Sequence, residues 1–230
     1  MNSKIQEANA LQEQIGASSD ETLKLKLQEQ QGKLMKMVRI HQDEIIKQHP
    51  KAFTSKLIGA FQEPEIPEPP LKADGTIDDK FQYHYYKKHF FDSFDFSEPG
   101  FVNTPYLKQK IDQYLDKLHP QIPDSLKFGV DHILEKAQKS EEIFRYTLPY
   151  LLNKYYRPNI VGLDEVYVHI ANKYYRTGRA DWVDEDNLKK ILDDAYMINN
   201  VLIGNPAPSV SCQLYDYESE SWTDSLVSLY

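Results

Sequence analysis

Few side chains in this sequence are spaced for chemistry. The single cysteine, Cys212, excludes an internal disulfide, a CxxC redox pair and a cysteine-based zinc site. Its setting in an apolar, strand-like stretch predicts a small buried hydrophobe. His84 and His89 are five positions apart, whereas paired metal ligands on a helix use i and i+4, so zinc is not expected there. His169, between apolar neighbours, reads as a satisfied core or interface histidine. Asp181, Asp184, Glu185 and Asp186 suggest calcium at first, but the run lacks the alternating ligands and glycine of an EF-hand loop. Acidic residues before an apolar period fit a helix cap better. The stretch from Tyr83 to Phe91 interleaves rings with Lys87 and Lys88, as single-strand nucleic-acid binders do. A net charge of −8 argues against that reading, since phosphate binding needs a basic footprint. There is no Gly-rich phosphate loop and no G-x-S-x-G, so no catalytic residue, cofactor or metal ligand is assigned.

The elements that must position these residues are almost all helical. Residues 3–15 carry Ile5, Ala8, Leu11 and Ile15 at helical spacing. Ser18 with Glu21 reads as a capping box opening a long helix, whose seam runs Leu23, Leu27, Leu34, Val38, His41 and Ile45. Pro50 closes it. Gln62 to Pro70 holds four prolines in nine residues and reads as an extended spacer, with a peptide ligand for an aromatic groove as the alternative. Ala73-Asp74-Gly75 is a turn. Further helices are expected from Asp78-Asp79, Pro105, Pro123, Ser140, Asp164 and Asp184, with a kink at Pro149. Asn-Lys-Tyr-Tyr-Arg occurs at Asn153 and again at Asn172. That offset is shorter than a helix pair and nothing else is seen to share it, so no solenoid is expected.

The expected fold is therefore all-α: an antiparallel multi-helix array with an N-terminal long helical hairpin and a short C-terminal β-hairpin tail. Residues 1–62 form the helical hairpin, 63–71 a Pro-rich linker, 72–203 the helical domain, and 204–230 a strand-bearing tail. Tyr155, Tyr156, Tyr174, Tyr175 and Trp182 lie near helix ends, where amphipathic rings suit a partner surface. Packing between neighbouring helices is the alternative. No apolar run approaches the roughly 20 residues that span a bilayer.

The junction Gly204-Asn205-Pro206-Ala207-Pro208, with Val210, Leu214, Asp216 and Leu226 beyond it, resembles the opening of a thioredoxin-like domain of the TlpA type and of the related AhpC/TSA peroxiredoxin-like proteins. The helices resemble the domain that precedes this module in Bacteroidetes-type thiol:disulfide interchange proteins. The matching stretches include His84-Tyr85-Tyr86, Thr104-Pro105, Pro123-Asp124-Ser125 and Ala180-Asp181-Trp182-Val183. This resemblance implies a periplasmic or outer-membrane-tethered oxidoreductase whose CxxC would lie beyond the first hairpin. No CxxC is present here, and Cys212 matches an apolar strand position, so no catalytic residue carries over. The expected role is a non-catalytic helical module that positions its own thioredoxin-like domain or contacts client proteins. A free-standing helical adaptor is the alternative.

Overall fold

The computed structural model describes residues 2–71, 76–206, 209 and 211–228. Ala207 and Pro208 of the junction, Val210 and the turn at Ala73-Asp74-Gly75 lie outside the described residues. The chain is mostly helical, with one short two-stranded antiparallel sheet near its C-terminal end. It divides into two units, Met1–Asn103 and Thr104–Tyr230.

In the first unit, α1 (Asn2–Ala17) and α2 (Glu21–Gln48) form a hairpin around Ala8, Leu27 and Val38. The cap of α2 is Asp20 and not Ser18: the Asp20 carboxylate accepts from the amides of Thr22 (2.9 Å) and Leu23 (3.3 Å). Ser18 instead supports Asp20, its hydroxyl accepting from the Asp20 amide. After α3 (Phe53–Ala60), the start of the Pro-rich stretch is tied down by hydrogen bonds. Arg39 donates to the Glu63 carbonyl at 2.9 Å, Gln62 to Asp43 at 2.8 Å, and Ser93 to the Gln62 carbonyl at 2.7 Å.

The border at residue 103 has an aromatic cause. After α4 (Phe81–His89), Phe90, Phe91, Phe94, Phe96 and Phe101 are buried in mutual edge and tilted contacts. Phe53 of α3 joins them through Phe101 at 5.5 Å. Edge-on ring pairs contribute about 0.5–1.5 kcal/mol each beyond the area they bury. The packing is tight at Gly100, where a Cβ would fall 2.9 Å from the Phe53 ring. Lys56 closes the same end of the unit through Asp95 (3.0 Å) and Glu98 (2.8 Å).

The second unit holds α5 (Pro105–Lys117), α6 (Pro123–Ala137), α7 (Glu141–Tyr156), α8 (Asp164–Ile170) and α9 (Glu185–Asn200). The local signals explain the starts. Proline occupies the first turn of α5 and α6, Ser140 caps α7, and Asp184 caps α9 by accepting from the Asn187 amide at 2.9 Å. α5, α6 and α7 each turn an aliphatic stripe inward. Leu107, Ile111, Leu115, Leu126, Val130, Ile133, Leu134, Ile143, Leu148 and Leu151 are fully buried. Each such side chain is stabilising by roughly 1.5–3 kcal/mol. α8 does not end as an α-helix: residues Ala171–Tyr175 form a π turn, with the Arg176 amide donating to the Ala171 carbonyl at 2.9 Å.

After α9, Gly204 adopts φ +92° and reverses the chain, while Asn205 donates to the Asn199 carbonyl at 2.7 Å. Strands β1 (Ser211–Asp216) and β2 (Ser221–Ser228) then pair antiparallel, with Tyr215 opposite Trp222. Asp216 forms the turn, accepting from the Glu218 amide and the Ser219 hydroxyl. Cys212 is on β1 but exposed, which corrects the expectation of burial. Ser211 to Tyr215 are all exposed, so the apolar alternation of β1 faces solvent.

Candidate functional site

Two carboxylates organise the second unit. On α5, Asp112 accepts from Lys108 (2.9 Å), Lys154 (3.0 Å) and the Tyr150 hydroxyl. Lys154 also reaches Asp116 at 2.9 Å. On α6, Asp131 accepts from His169 Nε2 (2.9 Å), Lys173 (2.8 Å) and the Tyr174 hydroxyl (2.8 Å). Burial opposes ionisation of Asp131, but these three donors outweigh it and hold its carboxyl at about 2. Burial likewise works against Asp112, and its donors overcome it, so that carboxyl too stays below the ordinary value.

The spacings repeat. Asp112 to Tyr150 and Asp131 to His169 both span 38 residues; Asp112 to Lys154 and Asp131 to Lys173 both span 42. Asp116 to Lys154 and Lys127 to Glu165 also span 38. Helices two apart in the chain therefore run parallel and in register, α5 beside α7 and α6 beside α8. The second set is the first shifted by 19 positions (131 − 112, 169 − 150, 173 − 154). This corrects the reading that only the pentapeptide keeps that period. Leu107-Lys108, Ile111-Asp112 and Leu115-Asp116-Lys117 recur as Leu126-Lys127, Val130-Asp131 and Leu134-Glu135-Lys136. Aligning the chain on itself at that offset is the signal that finds them.

Of the five aromatics expected near helix ends, Tyr155, Tyr174 and Tyr175 are 2–3% exposed and pack between helices. Tyr174 spends its hydroxyl on Asp131. Tyr156 and Trp182 are half-buried, and both line a groove of about 420 Å³ bounded by α7, α8, the π turn and α9. Pro149, Leu152, Tyr167, Tyr175 and Ile191 form its apolar wall; Asn153, Asp184, Asn187, Lys190 and Asp194 supply polar groups. Tyr156 and Tyr167 pack at 5.2 Å, and the Tyr167 hydroxyl donates to the Ile191 carbonyl at 3.4 Å. Arg145 lies over the Trp182 ring at 5.2 Å and Arg157 over Tyr156 at 5.3 Å. Asp184 is committed to the α9 cap. Asp194 is half-buried and makes no hydrogen bond or ion pair among the described residues. Burial pushes the Tyr167 hydroxyl up, and the charge of Asp194 adds to that.

The remaining candidates have plain structural roles. His89 pairs with Asp92 at 2.6 Å and stacks on Tyr85, and His169 is a clamp donor. Among the described residues no group of three or more His, Cys, Asp or Glu could hold a metal ion, and no helix is long and apolar enough to cross a membrane. Residues 11–198 match the family described as a domain of unknown function, DUF5106, and the chain belongs to that family. No curated protein and no solved structure matches it.

Proposed function

We propose that this chain is the non-catalytic helical module of a thiol–disulfide oxidoreductase, holding a thioredoxin-like domain in place or contacting client proteins. The hairpin carries this reading. β1, the turn and β2 expose Leu214, Tyr217 and Trp222 at 49%, 86% and 67%, and an isolated two-stranded sheet is marginal in water. Such a hairpin calls for further strands. At the end of α9, Gly204 at φ +92° and the Asn205 tie hold the last described residues of the helical part, which suits a part that orients a neighbouring domain. The likeness of residues 204–230 to a TlpA-type opening supports a thioredoxin-like sheet as the neighbour, and with it a periplasmic or outer-membrane-tethered setting.

With one cysteine and no CxxC, the chain is expected to show no turnover in insulin reduction; measurable turnover overturns the reading. The sharper test is the parent reading frame. A thioredoxin-like segment with a CxxC or peroxidatic cysteine beyond Tyr230 is expected, and an unrelated sequence there removes the proposal. The groove favours a second reading, a helical adaptor. Pull-downs with and without residues 204–230 separate the two, because an adaptor keeps its partner when the hairpin is removed.

A further inference from the structure

We infer that the groove between α7, α8 and α9 binds an arginine side chain presented by an extended segment of another protein. Three observations converge on a cation. Asp194 is a half-buried carboxylate in an aromatic-walled groove with no hydrogen bond or ion pair among the described residues. A carboxylate left open to the groove can accept from a cationic ligand. Lys190, one turn earlier on α9, forms no ion pair with it. The second observation is that Tyr156 and Trp182 hold the guanidinium groups of Arg157 and Arg145 at cation–π distance, contacts that an incoming guanidinium would exchange with. Thirdly, the apolar wall of Pro149, Leu152 and Ile191 gives the stem of a long basic side chain a surface to lie along. A guanidinium fits better than an ammonium because it can stack on a ring and bridge a carboxylate at once. The chain's net charge of −8 favours approach of a basic segment.

This inference deepens the client-contact half of the proposed function and does not require a downstream redox domain. The test uses the full chain with Trp222→Phe, which leaves Trp182 as the only tryptophan. Acetyl-Ala-Arg-Leu-amide is titrated in low salt, alongside versions with glutamate or leucine in place of arginine. A saturable change in Trp182 emission is expected with the arginine peptide, and binding at least about tenfold weaker for the other two. Asp194→Asn should weaken binding by about tenfold. Lys190→Glu should tighten it, a gain that misfolding does not produce. Added salt should weaken it. No saturable signal, equal binding of the three peptides, or indifference to Asp194→Asn or Lys190→Glu overturns the inference. Arginine binding without a redox domain in the parent frame sinks only the oxidoreductase reading. A redox domain without arginine selectivity sinks only this one.

Discussion

The α5/α7 and α6/α8 clamps share one register and differ in chemistry. In the first, Lys154 bridges two carboxylates, Asp112 and Asp116, and the aromatic partner is Tyr150. In the second, Asp131 alone answers three donors, and His169 stands where the first has tyrosine. The difference teaches that an offset of 38 residues is set by how helices stack, whereas the side chains at the contacts are free to vary. It also distributes risk unevenly. The first clamp has a spare acceptor; the second has none.

That asymmetry is open to measurement. Asp131→Ala strands three donors and should cost about 3 kcal/mol in urea unfolding, against about 2 kcal/mol for Asp112→Ala, where Lys154 keeps Asp116. Equal losses would remove the distinction. Among the lysines, Lys154 is 22% exposed and meets two carboxylates, while Lys173 is 46% exposed and meets one. Lys154→Met should therefore cost ~1–2 kcal/mol and Lys173→Met ~0.5 kcal/mol or less.

Acid titrates both clamps, since both carboxyls lie below the ordinary value, and the Asp131 variant isolates the second. The folded Asp131 carboxyl lies at about 2 against an ordinary 3.8, so its contribution is present above pH 3.8 and is lost as pH falls toward 2. The loss should be on the order of 1 kcal/mol after solvent screening, and Asp131→Asn should flatten that part of the profile. An unchanged profile in the variant would mean that the donors do not act as the geometry indicates. The smallest contrast is between the repeat-related lysines. Lys127, 21% exposed and bridging Asp124 and Glu165, should cost ~1 kcal/mol when replaced by alanine, whereas the 53%-exposed Lys108 should stay within ~0.5 kcal/mol.

Helix starts were readable because their causes are local. Proline at 105 and 123, Ser140 and Asp184 act within one turn of themselves. Asp20 took the cap from Ser18 because either can serve and only one geometry is used. The strands at 211–216 and 221–228 were readable from pattern, but the exposure of Cys212 depends on whether a neighbouring layer exists. The border at residue 103 was hidden for a related reason: a Pro-rich stretch looks like a spacer until its carbonyls find Arg39 and Ser93. The clamps were least legible, since their partners lie 38 and 42 residues apart. Of the five aromatics proposed from helix-end positions, the structure leaves Tyr156 and Trp182 at the groove edge and sends three inside. Asp194 had no signal at all, being one acidic residue among several on α9.

A π turn is an α-helix with one residue more than the ladder can accommodate. Ala171–Tyr175 is wound more loosely than α8, and its five residues send two neighbouring rings to different duties. Tyr174 reaches Asp131 and Tyr175 reaches the groove wall. One loosened turn thus ties the second clamp to the shape of the groove.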